Sequence, residues 1–343
     1  MQKKLPSIKN WKKLYKTMIA LKDMAPWEWL EEYDLFAVQN PETGEVGFVS
    51  VMGSIGEHYA IAVYLGERGL SAFWDLQHSK PNRFSYQKFL EMPQLQASFE
   101  DRNLLTTEDR KLIKKTGVAF RGNQSWPMFR SHRPGFVPWF LNSNEVRFLQ
   151  CALDQTLNVA PRVKENRSIL MPGGEGNYLL RKPIKKDAEL VWQDAVLTVL
   201  PPAPQKIEFT INQYAIEVLR NLVPSNISLE IDFFMLPEPV KEKNSRPFYP
   251  YILLLVDADD GIIVGNQMLK PLPRLESMWE TIPSQVDILL RDIELLPKRI
   301  YVNSDILFQL LLHLSEDLDV SVKYSKNLPK INQARASLLG FMK

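Results

Sequence analysis

The order of strands and helices after residue 227 constrains the fold of this chain more than any other feature of its sequence. Residues 227–235 alternate apolar and polar side chains, which is typical of a half-buried strand, and residues 251–256 form an almost wholly apolar strand. Asp260 and Gly261 then lead into a third apolar run, and Asp-Gly between two such runs predicts a hairpin. We therefore expect three neighbouring antiparallel strands.

Helices and strands alternate over the rest of the chain. The apolar spacing predicts helices over residues 275–290, 306–314 and 331–341, with strands over residues 299–302 and 320–324. The resulting order is βββαβαβα. Repeated strand-helix-strand units predict right-handed crossovers, so the last two strands should pair in parallel within a mixed sheet.

This order resembles the ribonuclease-H-like architecture, and the resemblance implies a cluster of carboxylates that holds two divalent ions. The candidate residues at the corresponding places are Glu230 or Asp232, Glu276 or Glu280, and Asp305. Asn303 occupies the end of the fourth strand, and residues 329–343 contain no acidic residue. We therefore keep a degenerate metal-dependent nuclease only as an alternative, and we predict no bound metal and no cofactor.

The length of 343 residues predicts more than one domain, because a single core rarely grows to this size. The proline-rich stretch at residues 201–204 is a stiff spacer, so we predict an N-terminal domain over residues 1–200 and a C-terminal domain over residues 206–343. Short strands at residues 34–39, 46–52 and 59–65 follow an amphipathic helix at residues 9–23. The N-terminal domain should be a β-meander with helices, and the fold class is α+β.

Several classes of site are disfavoured by composition. Cys151 is the only cysteine, which excludes an internal disulfide and a thiolate zinc cluster, and we predict that its thiol is structural. None of the four histidines forms an i, i+4 pair. No apolar run reaches the length of a membrane span, so we predict a cytoplasmic protein without a membrane partner.

The charge is strongly segregated, although the net charge is only +2. Residues 110–186 contain fifteen basic and four acidic residues, and no acidic residue lies between Asp109 and Glu145. Within this gap, basic residues alternate with aromatic ones, which is typical of surfaces that bind single-stranded nucleic acid. Packing of the same aromatic residues in a core is the other interpretation. The predicted nucleic-acid-binding residues are Arg121, Trp126, Arg130, Arg133 and Trp139.

Two stretches resemble bacterial hypothetical proteins that consist of domains of unknown function. The first stretch covers about residues 7–80, and the second covers about residues 250–342. The motifs that carry the resemblance are Pro26-Trp27-x-Trp29-Leu30, Tyr64-Leu65-Gly66-x-x-Gly69-Leu70 and Pro297-x-Arg299-Ile300-x-Val302. The resemblance implies no activity. We interpret the protein as a non-catalytic binding or regulatory protein whose partner is a nucleic acid or another polyanion, with a protein-protein interaction module as an alternative.

Overall fold

The computed structural model describes residues 5–78, 86–187, 189–200, 207–243 and 245–341. The chain divides into two compact units. The first unit comprises Met1–Arg133 and Pro138–Pro202, and the second comprises Pro134–Val137 and Ala203–Lys343. The short segment Pro134–Val137 groups with the second unit although it lies between two parts of the first in the sequence. Among the described residues, no helix is long and apolar enough to cross a lipid bilayer.

A seven-stranded sheet forms the first unit, with the strand order β5-β4-β3-β2-β1-β6-β7. Its strands are β1 (Phe36–Gln39), β2 (Val46–Met52), β3 (Ala60–Leu65), β4 (Gln94–Glu100), β5 (Trp126–His132), β6 (Asn177–Lys186) and β7 (Glu189–Thr198). All neighbours are antiparallel except β1 and β6, which are parallel. The meander expected from the sequence is present as β1, β2 and β3. The hairpin of β6 and β7 was not predicted.

Helices cover both faces of this sheet. They are α1 (Ile8–Met24), α2 (Gly66–Gln77), α3 (Tyr86–Leu90), α4 (Thr107–Thr116) and α5 (Ser143–Glu165). α1 and α5 pack on one face, where they share a core with Val49 and Val51 of β2. α2 packs on the other face against Phe48, because successive side chains of a strand point to opposite sides. A Cβ added at Gly47 would lie 2.9 Å from Phe148 of α5, so glycine permits this close approach.

A five-stranded mixed sheet forms the second unit, with the order β11-β10-β9-β13-β14. The strands of this unit are β8 (Val223–Pro224), β9 (Ser228–Met235), β10 (Tyr251–Asp257), β11 (Ile263–Leu269), β12 (Leu295–Leu296), β13 (Arg299–Val302) and β14 (Ser321–Tyr324). β9, β10 and β11 are antiparallel neighbours, and β13 is parallel to both β9 and β14. Both pairings expected from the sequence are confirmed, as is the α+β class. β8 and β12 form a separate short pair.

The helices of the second unit follow the expected alternation with strands. They are α6 (Gln213–Arg220), α7 (Leu275–Trp279), α8 (Ile282–Asp292), α9 (Asp305–Asp317) and α10 (Pro329–Phe341). The helix predicted over residues 275–290 is present as α7 and α8, because Pro283 lies in the first turn of α8, where its missing N–H leaves no helical bond unmade. α10 packs on Phe234, Leu254 and Val256 of the sheet.

Candidate polyanion-binding groove

One side of α4 carries a row of polar and basic side chains. The four residues of this row follow the i, i+3, i+4, i+7 spacing that places side chains on one helix face; they are Thr107, Arg110, Lys111 and Lys114. The helix begins with a capping box, in which the Thr106 hydroxyl accepts from the Asp109 N–H and the Asp109 carboxylate accepts from the Thr106 N–H. It ends at Gly117, whose φ of 69° suits glycine.

The basic face of α4 forms a groove of about 410 Å³ together with the segment that leads into β5. The residues that line this α4 groove are Arg102, Thr107, Arg110, Lys111, Ile113, Lys114, Val118, Ala119, Phe120 and Trp126. None of these ten is acidic. The rings of Phe120 and Trp126 lie 6.2 Å apart between centroids, and the Arg102 guanidinium lies 5.6 Å from the centre of the Trp126 ring. The groove therefore combines positive charge with two aromatic rings.

The basic side chains of the α4 groove are exposed, and each is without a carboxylate partner in the part of the chain that the structure describes. An adjoining cleft of about 390 Å³ shares Arg102 and Arg110 with the groove and extends to Gly122 and Asn123. The carboxylate that lines this cleft, Asp101, accepts a hydrogen bond from the backbone N–H of Gln124 at 2.8 Å. Phosphate groups would meet these cations without displacing an existing ion pair.

The structure places the five residues predicted from the sequence in different environments. Trp126 lines the α4 groove, and Arg121 is exposed on the segment that connects Phe120 to the adjoining cleft. Arg121 and the other three predicted residues are not among those that line the groove. Of the five predicted residues, Trp126 lines the candidate groove, and the structure does not bring the five together on one surface.

Arg130 is engaged in a buried ion pair. Its guanidinium donates to both carboxylate oxygens of Asp109, at 2.9 and 2.6 Å, and the two side chains are 12% and 6% exposed. Burial by itself raises the pKa of the Asp109 carboxyl, but the hydrogen bonds and charge of Arg130, with those from Thr106, outweigh it and hold that pKa below its usual value. Arg130 therefore stabilises the fold by fixing α4 to β5.

Arg133 and Trp139 also have structural partners. The Arg133 guanidinium donates to the Glu145 carboxylate at 2.7 Å, and the same carboxylate caps α5 by accepting from the Asn142 N–H. Burial favours the neutral acid, yet these hydrogen bonds lower the pKa of the Glu145 carboxyl. Trp139 exchanges two backbone hydrogen bonds with Ser131, which places it along the outer edge of β5.

The four basic residues that line the α4 groove were not among the residues predicted from the sequence; they are Arg102, Arg110, Lys111 and Lys114. The signal was the i, i+3, i+4, i+7 spacing of Thr107, Arg110, Lys111 and Lys114, combined with the aromatic pair that follows α4 in the chain. Residue spacing shows which side chains share a helix face, but it does not show which aromatic residues border that face.

The candidate carboxylates of the second unit have separate local roles. The Glu230 carboxylate is buried and accepts the Ile331 N–H at 2.8 Å, so it caps the first turn of α10. Burial raises the pKa of Asp232 to about 6, although the Phe233 N–H and the charge of Arg335 act in the opposite direction. Asp305 is exposed in the first turn of α9. Within the described ranges, no three His, Cys, Asp or Glu side chains converge as metal ligands would.

Cys151 lies in α5 beside a small cavity of about 220 Å³. Burial raises the pKa of its thiol to about 11, and the negative charge of Asp154 adds to this effect. Because only the thiolate is a strong nucleophile, the thiol is unreactive at neutral pH.

Comparison with known families finds two regions of similarity, one on each side of the proline-rich spacer. A family model described as domain of unknown function DUF7309 matches residues 11–181, and one described as domain of unknown function DUF6930 matches residues 215–339. No curated protein matches the chain. The two matches lie on either side of the proline-rich spacer, and neither family carries a described activity. The chain is therefore similar to two families, each of which is defined by a domain whose function is unknown.

Proposed function

We propose that the α4 groove binds single-stranded nucleic acid and that the protein acts as a binding or regulatory protein rather than as an enzyme. The observation that supports this proposal is the placement of four exposed basic side chains, none of which has a carboxylate partner among the described residues, beside the rings of Phe120 and Trp126. Basic side chains neutralise phosphates, and flat rings stack on bases whatever their sequence. A groove of this kind favours an unpaired strand, because bases within a duplex stack on one another and are not free to stack on a protein ring.

The proposal predicts a strong dependence of affinity on salt. Neutralisation of about four phosphates on a single strand gives a slope near −3 in a plot of log affinity against log salt. Affinity for a fluorescein-labelled oligouridine should then fall about 50-fold between about 50 mM and about 200 mM salt. Fluorescence anisotropy at several salt concentrations measures this slope directly. Absence of binding at the lower salt concentration would contradict the proposal.

Variants separate binding by the groove from general attraction by positive charge. Arg110→Glu with Lys114→Glu reverses two cations that line the groove and should abolish measurable binding at the higher salt concentration. Lys12→Glu with Lys115→Glu is the matched control, because it also reverses two cations, and both residues are exposed and do not line the groove. Binding that weakens equally in both variants would show that the groove is not the site.

The aromatic contribution is tested by Trp126→Leu. Loss of one stacking ring should weaken binding by ~1–3 kcal/mol while leaving the salt slope unchanged, because no phosphate contact is removed. Including Mn²⁺ and analysing the oligonucleotide on a gel tests the enzymatic alternative in the same experiment. Cleavage by the natural protein that is lost in Asp232→Ala would contradict the non-enzymatic role and indicate that the protein is a hydrolase.

We further propose that the second unit is ribonuclease-H-like in topology. Three antiparallel strands, β11, β10 and β9, followed in the sheet by the parallel strands β13 and β14, support this assignment. The use of the Glu230 carboxylate as a helix cap supports a role for this unit that does not depend on hydrolysis.

A further inference from the structure

The outer edge of β7 is unprotected in comparison with the other edges of the two large sheets. β7 has ten residues that keep an unbroken register with β6, and within the described chain no strand pairs with its other side. Its sequence contains no Pro, Lys or Arg. Natural sheets protect exposed edges with such residues, with bulges or with short strands, because open backbone N–H and C=O groups recruit other strands.

The three remaining outer edges each carry one of these protections. β5 contains Pro127, and its outer side is covered at Ser131 by the backbone of Trp139. β11 is paired to β10 through a register shift next to Val256. β14 has only four residues and includes Lys323. β7 is therefore the one large-sheet edge in the described structure that is long, regular and free of basic residues or proline.

The side chains of β7 also favour contact with another strand. Leu190, Val191 and Val196 are 48%, 41% and 57% exposed, which is unusual for three large apolar residues of one strand. The carboxylate of Asp194 forms ion pairs with Arg162 and Arg181 of its own unit. These ion pairs compensate the charge of Asp194 within its own unit, so an approaching strand need not supply a cation for it.

We propose that β7 pairs antiparallel with β7 of a second copy of this chain, about a two-fold axis at Gln193. Directly opposed residues of antiparallel strands lie on the same face of a sheet, so an axis through a residue pairs positions of equal parity. Centring on Gln193 places Leu190 opposite Val196 and Val191 opposite Ala195, and no like charges face each other. Centring one residue later would place Asp194 opposite Asp194, which is unfavourable.

The axis at Gln193 thus gives a register in which two apolar pairs meet without opposed like charges, and this supports a second copy as the occupant of the edge. Each copy supplies an identical open edge of the same length. Leu190 and Val191 of one strand meet Val196 and Ala195 of the other, while Trp192 lies opposite Asp194. The sheets of two copies would continue into each other. The backbone supplies hydrogen bonds along β7, and the Leu190–Val196 contacts fix the register.

Charge substitutions test both the interface and its register. Leu190→Lys with Val196→Lys would place two lysines opposite each other twice in the dimer, and the dissociation constant should rise about tenfold. Leu190→Lys with Val196→Glu would place opposite charges at the same positions and should retain dimerisation. Sedimentation velocity over a concentration series measures both constants, and circular dichroism confirms that the variants are folded. Equal dissociation constants for the two variants would overturn the proposal.

Crosslinking provides a test that does not depend on a change in stability. In a Cys151→Ser background, Gln193→Cys places two thiols opposite each other at the axis, and mild oxidation should give a disulfide-linked dimer. Glu189→Cys is the control, because its two copies would lie roughly 27 Å apart along the paired strands. A monomeric natural protein at high micromolar concentration, or equal crosslinking of the two cysteine variants, would overturn the proposed pairing.

Discussion

Two groups of cations in the basic part of the first unit have opposite environments. Arg130 is almost buried and donates to both oxygens of Asp109, whereas Arg110 and its neighbours on α4 are exposed and without a carboxylate partner in the described structure. Both groups lie close to aromatic rings: Arg130 lies 5.0 Å from the centre of the Phe140 ring. The difference shows that a basic residue beside a ring is available to a ligand only when burial and pairing do not already commit it to the fold.

The largest expected effect comes from breaking the buried pair. Arg130→Ala leaves the Asp109 carboxylate buried without its cation, so the free energy of unfolding should fall by ~3–5 kcal/mol. Urea denaturation at neutral pH measures this change. Replacing both partners, with Arg130→Met and Asp109→Leu, should cost less than Arg130→Ala alone, because no uncompensated charge remains. If Arg130→Ala were as stable as the natural protein, this would contradict the structural role assigned to Arg130.

The half-buried carboxylate of Asp232, which has no ion pair as close as that of Asp109, extends the comparison to the second unit. Because burial raises the pKa of Asp232 to about 6, the folded chain holds a proton that the unfolded chain releases near pH 4. The unfolded state binds fewer protons between these values, so this group makes unfolding easier as the pH rises through that window. Asp232→Asn should therefore stabilise the protein by ~2–3 kcal/mol at pH 7.5, and by little near pH 4.

Urea unfolding of the natural protein and of Asp232→Asn at both pH values tests this expectation. The sign distinguishes it from the behaviour of Asp109, whose lowered pKa stabilises the fold at neutral pH and loses that effect in acid. A stability difference between the two proteins that does not change with pH would show that folding does not raise the pKa of Asp232.

The smallest expected effect distinguishes Arg133 from Arg121. Arg133 is 37% exposed and paired with Glu145, so Arg133→Ala should lower the free energy of unfolding by only ~1 kcal/mol. Arg121 is exposed, and Arg121→Ala should change it by less than ~0.5 kcal/mol. Thermal unfolding of the two variants in one buffer measures the difference. A larger loss for Arg121→Ala would indicate a partner that the exposed position does not suggest.

Much of the fold followed from local signals. The period of two in β9, the Asp-Gly turn after β10 and the alternation of helices and strands predicted the pairing in the second unit. The β6–β7 hairpin did not follow, because its outer strand exposes apolar residues on both faces and lacks the regular alternation of a half-buried strand. The parallel pairing of β1 with β6 joins residues more than 140 positions apart, so no local sequence pattern indicates it.

The candidate site was predictable only in part. Trp126 belongs to a segment with an evident excess of basic and aromatic residues, so composition identified it. The partner of Arg130 lies 21 residues earlier, on another element, and only tertiary structure brings the two together. The same holds for the basic face of α4 and the ring of Phe120, which become neighbours because the chain turns at Gly117.

The short segment Pro134–Val137 limits how this protein can be divided for study. Its Gly135 carbonyl accepts the Tyr249 N–H at 2.9 Å, and the Val137 N–H donates to the Pro247 carbonyl at 3.0 Å, so these residues complete the second unit. A fragment that begins after the proline-rich spacer would lack them and would expose Phe248, which is buried in the whole chain. During synthesis, the second unit therefore depends on a piece of chain that leaves the ribosome more than a hundred residues before its last partner.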